Sequence, residues 1–340
     1  VWVATCQSAF DHRIAGALLA AVDDGWVVAP VGGVEHLKER VLQRMRTCLT
    51  IEAALLDVAG VLTREGVEAC VLKGVAGAHL DYPDPSYRAF NDVDLLIAPD
   101  EIDRATGALE RAGCRRDLPP RSKTWDRRFA KDIPLVHPSG VEIDLHRSLA
   151  QGAFGMWIDP EVLFRDSVTF TLAGTELRAC SALVRALHAA VGITIGETEV
   201  RLAHVADFAL AAAQMEEPMA LLELCESFNC SLLYDEAIGV VEDVLGHRPV
   251  GASARSLPRS SAESPRLARL ARREYRSNGG SHVRELLTGF LGLRGVGDLS
   301  RYARALFLPE AEYRAARQGA GRVSEWREGL RQLVRVGRPH

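Results

Sequence analysis

The sequence predicts an α+β (α/β) fold in which a mixed β-sheet lies between two helical regions. Successive apolar runs of strand length, separated by turn residues, are found between about residues 67 and 180. Before this part apolar residues recur at helical spacing, and beyond it helical patterns take over again. We therefore expect an N-terminal helical lead at 1–66, a core at 67–180 and an all-helical C-terminal domain at 181–340.

The helical regions are predicted from the spacing of their apolar residues. Residues 35–66 are expected to form one or two amphipathic helices, with Val41, Met45 and Leu49 on the apolar face. A stretch rich in Gly, Ser, Pro and Arg at 247–265 is typical of a connection rather than a helix. Helices of the C-terminal domain are predicted at 182–191, 201–214, 218–226, 232–245, 265–275, 283–291 and 324–336.

The sheet is predicted from a strand, a glycine turn and a series of short apolar runs. An apolar run at 68–72 ends in Lys73-Gly74, and a helical pattern resumes at 75–80. Another helix is expected at 101–112, because Asp100 is a suitable N-cap and a glycine follows its last residue. Further strands are predicted at 92–97, 133–137, 141–145, 168–172 and 176–177.

Composition limits the classes of function. No apolar stretch approaches the roughly 18 residues of a membrane span, and the N-terminus has no signal-peptide pattern, so we expect a cytoplasmic protein with no membrane partner. Residues 248–340 carry 19 Arg against 8 acidic residues. Without interleaved aromatic residues these arginines favour solvated helix faces over nucleic-acid binding. The P-loop, Rossmann, α/β-hydrolase and zincin motifs have no match.

The most informative motif is the acid pair Asp92-Val93-Asp94. Side chains alternate along a strand, so carboxylates at i and i+2 point to the same face. Such a pair repels itself unless a cation lies between the two groups, which makes it a candidate divalent-metal site. The alternative is an exposed strand edge that carries two acids.

A second polar face lies on the strand predicted at 141–145. Glu142, Asp144 and His146 alternate with apolar residues, so they share one face.

Lysine gives a further indication, because the chain has 37 Arg and only four Lys, namely Lys38, Lys73, Lys123 and Lys131. A lysine retained in so arginine-rich a chain indicates that a compact ammonium is needed, and Lys73 precedes the glycine turn.

Taken in order, these blocks resemble the uncharacterised bacterial nucleotidyltransferase family of the polymerase-β nucleotidyltransferase superfamily. In that superfamily a glycine turn is followed by a D-x-D pair and by a third acid on a nearby strand. The resemblance covers about residues 50–320 and implies a polymerase-β-like nucleotidyltransferase core. The blocks that carry it are Leu72-Lys73-Gly74, Arg88 with Asp92-Val93-Asp94, and Glu142-Ile143-Asp144-Leu145-His146.

The resemblance implies an activity and an ion. Asp92 and Asp94 would hold two Mg²⁺ or Mn²⁺ ions, and Asp144 would hold the second ion and act near the acceptor hydroxyl. These three acids are then both the metal ligands and the catalytic residues. Glu142 is the nearby alternative to Asp144 as the third acid. The reaction would transfer a nucleoside monophosphate, AMP from ATP or another NTP, to an unidentified small-molecule or peptide acceptor. Pyrophosphate would be released, as in a tailoring enzyme of a natural-product pathway.

Other residues are expected at the nucleotide or near it. Lys73, Gly74 and Arg88 are candidate nucleotide-binding residues; unchanged nucleotide affinity in Lys73→Ala would refute that role for the lysine. Arg88 is alternatively a surface-loop residue, or it orients the acid pair. Candidate substrate contacts or supporting residues are Glu142, His146, His204 and Asp207, and each of the last three has a structural alternative.

The sequence departs from the superfamily pattern at one place. Val75 and Ala76 follow Gly74, so the hydroxyl that commonly contacts the triphosphate there has no counterpart. The alternative function is therefore a non-catalytic module, similar to an antitoxin, that retains the fold and binds a nucleotide or a protein.

Overall fold

A computed structural model describes residues 1–196, 200–217, 219–248, 268–272 and 282–319 of the chain. Within these ranges the strands are β1 Ala69–Val71, β2 Asp92–Ile97, β3 Arg115–Arg116, β4 Asp132–Val136, β5 Glu142–His146, β6 Val168–Leu172 and β7 Thr175–Ala179. Helices that precede the last strand are α1 Trp2–Asp11, α2 Ala15–Asp23, α3 Gly33–Arg64, α4 Val75–Leu80, α5 Ile102–Arg111, α6 Trp125–Arg128, α7 Gly152–Trp157 and α8 Pro160–Leu163. Helices that follow it are α9 Ala182–Ile195, α10 Leu202–Ala213, α11 Ala220–Ser227, α12 Ser231–Leu245, α13 His282–Gly292, α14 Val296–Phe307 and α15 Ala311–Gly319.

The strands form a mixed sheet. In the described part of the chain it has seven strands in the order β3-β4-β5-β2-β1-β7-β6. β2 pairs parallel with β5 and β1 pairs parallel with β7, whereas the other neighbours are antiparallel. The predicted fold class, a mixed sheet with helices before and after it, is confirmed.

Alternation along β2 assigns the two faces of the sheet to two different cores. Val93, Leu95 and Ile97 pack with α3, α4 and α5 on one face. Leu96 lies on the other face, in a cluster formed by α7 and the helices from α9 to α12. Because Asp92 and Asp94 share a face with Leu96, the acid pair lies on the side that the C-terminal helices cover.

The N-terminal lead differs from its prediction in the helix face that is buried. α3 is one helix, and Leu55, Val58 and Leu62 form its contact with the sheet. Met45 and Leu49, predicted on the apolar face, are 38% and 62% exposed. A series of i+4 steps turns by about 40° per step around the helix, so this spacing does not stay on one face.

The other predicted elements that fall in the described residues agree with the structure to within a few residues. The strand β3 was not predicted, because two adjacent arginines carry no strand pattern. The short helices α6, α7 and α8 were not predicted either, and α1, α2, α14 and α15 lie in regions predicted to be helical without having been assigned individually. The helix predicted at 324–336 lies outside the described residues, as do most of the 247–265 connection and parts of the helix predicted at 265–275. Where the chain is described, no helix is both long and apolar enough to cross a membrane. The division into these three domains stays a prediction.

Candidate metal centre and its surroundings

Strand register brings the acids of three strands together on one sheet face. Asp94 on β2 lies directly beside Asp144 on β5, and Asp92 lies beside Glu142. On the other side of β5, Asp132 at the start of β4 lies opposite His146. Directly paired residues project to the same face, so Asp92, Asp94, Asp132 and Asp144 form a cluster where the sheet meets α9.

Asp94 is the centre of this cluster and is almost completely buried, with 1% of its surface exposed. Its Oδ1 lies 2.8 Å from Nε2 of His146 and 3.1 Å from Nζ of Lys73. Burial would raise the pKa of Asp94, but Lys73 and His146 lower it more, so this carboxyl is ionised. The second oxygen, Oδ2, is buried and has no hydrogen-bond partner.

Asp144 completes the group that can hold a cation. One ligand atom each from Asp94, Asp144 and His146 lies within 4.8 Å of the other two. Burial, together with the charges of Asp132 and Asp94, raises the pKa of Asp144 to about 6. A carboxyl that resists ionisation beside other acids indicates a site that gains from a bound cation.

Lys73 lies at the acids because β1 continues into the glycine turn. The N–H of Leu72 donates to the carbonyl of Asp94 over 3.0 Å, which extends the pairing of β1 with β2 to the turn. Gly74 then has φ of +57°, in the left-handed range that favours glycine. The ammonium is 4.0 Å from Oδ2 of Asp92, which is only half-buried. Lys73 is therefore an internal counter-ion, placed between the two acids of the pair.

The sequence analysis missed an ion pair beside the cluster. Nζ of Lys131 lies 2.9 Å from Oδ2 of Asp132. Burial would raise the pKa of Asp132, but Lys131 and His146 lower it more. The rarity of lysine in this chain was a usable signal for Lys131, since it is one of only four.

His188 was also missed, because it has no ligand spacing in the sequence. It lies on α9, with its ring edge-on to that of His146 at a centroid distance of 6.3 Å. Burial keeps the pKa of His188 well below its usual range, and Lys73 and His146 lower it further. The imidazole is therefore neutral and closes the cluster on the side of α9.

Arg88 makes a bidentate ion pair with Asp207. Its Nε and Nη2 donate to the two carboxylate oxygens of Asp207 over 2.8 Å each, and its Nη1 donates to the carbonyl of Ala89. Tyr82 donates a third hydrogen bond to Asp207 over 2.8 Å. With 3% of its surface exposed, Arg88 joins the loop before β2 to α10. It is not a surface-loop residue, and its predicted role in nucleotide binding stays a prediction.

The remaining candidates are not brought into the cluster. Glu142 is exposed, so Asp144 and not Glu142 is the acid beside Asp94. His204 packs against Gly192 of α9, and its Nδ1 is buried without a hydrogen-bond partner. Burial lowers the pKa of His204 to about 4, so it is neutral at physiological pH. Asp207 is satisfied by Arg88 and Tyr82 rather than by His204.

Comparison with known proteins agrees with this geometry. The model of a family described as uncharacterised nucleotidyltransferase matches residues 2–246. The chain belongs to this family. A solved structure titled as an antigenic nucleotidyltransferase-like protein from Paracoccidioides brasiliensis is 16% identical with a TM-score of 0.35. That match covers 57% of this chain and 88% of the other chain. No curated protein matches the sequence.

Membership of the nucleotidyltransferase family implies a divalent metal, and the residues present fit one. Mg²⁺ and Mn²⁺ prefer oxygen ligands, and the cluster offers the carboxylates of Asp94 and Asp144. The buried Oδ2 of Asp94 has no hydrogen-bond partner, and a bound cation would give this oxygen a partner.

Proposed function

We propose that this protein is a metal-dependent nucleotidyltransferase that transfers a nucleoside monophosphate, AMP from ATP, to an acceptor and releases pyrophosphate. The observation that carries the proposal is the juxtaposition of Asp94 and Asp144, with one oxygen of Asp94 buried and unpartnered. We place the enzyme in the cytoplasm. Its acceptor, a small molecule or a peptide in a natural-product pathway, would dock between the core and the C-terminal helices.

The three acids bind the metal ion in this proposal, and Asp144 has a second task. Asp92, Asp94 and Asp144 hold Mg²⁺ or Mn²⁺, which when bound neutralises charge on the triphosphate and polarises the α-phosphate. His146 fixes the orientation of Asp94 through its 2.8 Å contact. Asp144, with a pKa raised to about 6, is suited to take the proton of an acceptor hydroxyl, since a base works best when its pKa lies near the working pH.

Lys73 and Arg88 support the acids in different ways. Lys73 neutralises Asp94 and Asp92 in the free protein, and its ammonium can turn to the phosphates when the acids take a metal ion. The guanidinium of Arg88 is committed to Asp207, so we assign it the task of holding the loop that leads into Asp92.

The function is tested with radiolabelled ATP, CTP, GTP and UTP, each with Mg²⁺, with Mn²⁺ or with EDTA. We expect metal-dependent binding of one nucleotide, and pyrophosphate release once fractions of small molecules or peptides supply the acceptor. If no nucleotide binds in the presence of either metal, the proposal is wrong.

The same experiment distinguishes the proposed enzyme from the alternative, a non-catalytic nucleotide- or protein-binding module. Two observations favour it: Val75 and Ala76 replace the usual hydroxyl after Gly74 and are buried, and Lys73 already neutralises the acids. Such a module would bind nucleotide without releasing pyrophosphate with any fraction, or it would bind no nucleotide.

Metal affinity is expected to rise with pH through the pKa of Asp144. The pKa is raised to about 6 in the folded protein, so the stability linked to this group is greatest at low pH and is lost as pH rises through 6. A cation binds the ionised form of Asp144 and so restores stability above this pKa. Below the pKa, the affinity of the protein for the cation falls about tenfold for each unit by which the pH is lowered. Calorimetric titration with Mn²⁺ between pH 5 and 7.5 measures this.

Asp144→Asn and Glu142→Gln are the paired variants for that titration. The first is expected to bind Mn²⁺ weakly at every pH. The second alters an exposed acid of the same strand and should keep the wild-type profile. A pH-independent affinity in the wild type would contradict the role of Asp144.

A further inference from the structure

A cavity of about 450 Å³ lies at the end of β5, on the side of α13 and α14. Its wall includes Arg147, which directly follows β5, together with Met156 and Trp157 of α7 and Leu293 after α13. α7 and α13 pack closely here, since a Cβ on Gly292 would lie 2.6 Å from Cβ of Met156. None of the acids of the candidate metal centre lines this cavity. Its volume is within the range of small-molecule sites.

Arg147 is a buried cation for which the described residues supply no carboxylate. It is 5% exposed, its Nε donates to the carbonyl of Ala130 over 2.8 Å, and its Nη2 donates to that of Gly155 over 3.4 Å. These bonds fix the direction of the guanidinium without neutralising it. Burial lowers the pKa of Arg147 to about 10, which still leaves it charged at neutral pH. A buried charge without an opposite charge is costly, and such groups normally have a counter-ion.

The other charged residues of the wall do not supply that counter-ion. Asp298 forms ion pairs with Arg128 over 2.8 Å and with Arg301 over 3.1 Å. Asp159 caps α8 by accepting a hydrogen bond from the N–H of Glu161 over 3.0 Å. Arg294 adds a further positive charge at the exposed rim.

We infer that this cavity binds a small organic anion whose carboxylate or phosphate group pairs with Arg147. Guanidinium groups recognise both kinds of oxyanion through paired hydrogen bonds. Trp157 and Met156 give the wall an apolar part, so an anion with an apolar or aromatic body fits better than a bare inorganic ion. This cavity is separate from the acids of the candidate metal centre, and anion binding there does not depend on the proposed activity.

The test is thermal unfolding in EDTA with phosphate, phenyl phosphate, acetate or benzoate, against sodium chloride at equal ionic strength. We expect the aryl anions to raise the melting temperature more than chloride does, and more than phosphate or acetate. Whichever of phenyl phosphate and benzoate acts more strongly identifies the preferred oxyanion. If none of the four exceeds chloride, the inference is overturned.

Two arginine variants locate the effect. Arg147→Met is expected to lose the anion-dependent shift, and Arg147→Lys to weaken anion affinity about tenfold, because the paired hydrogen bonds are lost. The matched control is Arg121→Met, which removes a buried guanidinium that stacks on Trp125 and Tyr313 outside the cavity. A shift that persists in Arg147→Met, or disappears in Arg121→Met alone, would refute the site.

A fluorescence titration keeps the test independent of how these variants fold. Phenyl phosphate or benzoate added to the wild-type protein should change the emission of Trp157, which lines the cavity. Trp157→Phe, which removes the reporting indole, is expected to abolish that change. An unchanged emission in the wild type at concentrations that raise the melting temperature would place the anion elsewhere.

Discussion

Replacing Asp94 with asparagine is expected to reduce pyrophosphate release on the order of 10³-fold or more and to abolish measurable Mn²⁺ binding. The carboxylate contacts both His146 and Lys73 through Oδ1, and its Oδ2 is buried without a hydrogen-bond partner. An amide removes one negative charge and leaves the ammonium of Lys73 with the more distant Asp92 as its ion-pair partner. Initial rates at saturating nucleotide and calorimetry with Mn²⁺ measure the two effects separately.

Glu142→Gln is the matched control for Asp94→Asn. Glu142 pairs with Asp92 in register and lies on the same sheet face, but its side chain is exposed. It should retain activity and Mn²⁺ affinity within about a factor of two to three, as expected of a surface change. Circular dichroism checks that both variants fold. Full Mn²⁺ affinity in folded Asp94→Asn would show that the metal site has been assigned to the wrong residues.

Replacing Arg88 with methionine is expected to lower the free energy of unfolding by about 3 kcal/mol, because it leaves the partly buried carboxylate of Asp207 without its cation. Asp207 would keep only the hydrogen bond from Tyr82. Urea unfolding gives the loss, and the double variant Arg88→Met with Asp207→Leu should recover a large part of it by removing the stranded charge.

Arg111→Met is the comparison for the Arg88 experiment. Arg111 pairs with Glu65 over 3.0 Å, and both side chains are exposed, so its loss should change the free energy of unfolding by less than about 1 kcal/mol. If Arg88→Met cost no more than Arg111→Met, the ion pair with Asp207 would not hold the loop before β2 to α10.

The sequence predicted which residues share a face, but not which of them meet. Alternation placed Asp92 with Asp94, and Asp144 with Glu142 and His146, because a strand has a period of two. The neighbour of Asp94 depends on the register between β2 and β5, which is set by packing across the whole sheet. That register decides between the two candidate third acids.

Contacts distant in sequence account for the residues that were missed. Asp132 and His188 reach the cluster through β4 and α9, from either side of His146 in the sequence. Neither has a spacing that relates it to the acid pair. Arg88 and Asp207 were each singled out, yet their pairing across 119 residues could not be read from either motif. By contrast, local signals such as the turn at Gly74 were sufficient to place α4.

The ammonium of Lys73 between the acids has a consequence for how the protein matures. Many metal sites form only when the ion arrives, because their ligands repel one another in the empty state, so folding and metal supply are coupled. Here the ammonium of Lys73, which is part of the chain itself, relieves the repulsion between Asp92 and Asp94 before any metal ion binds. We infer that the chain reaches its final shape without metal and acquires an ion later, so a cooperative unfolding transition in EDTA is the expected observation. In a cell that lacks the metal, the protein would then be folded but without the proposed activity.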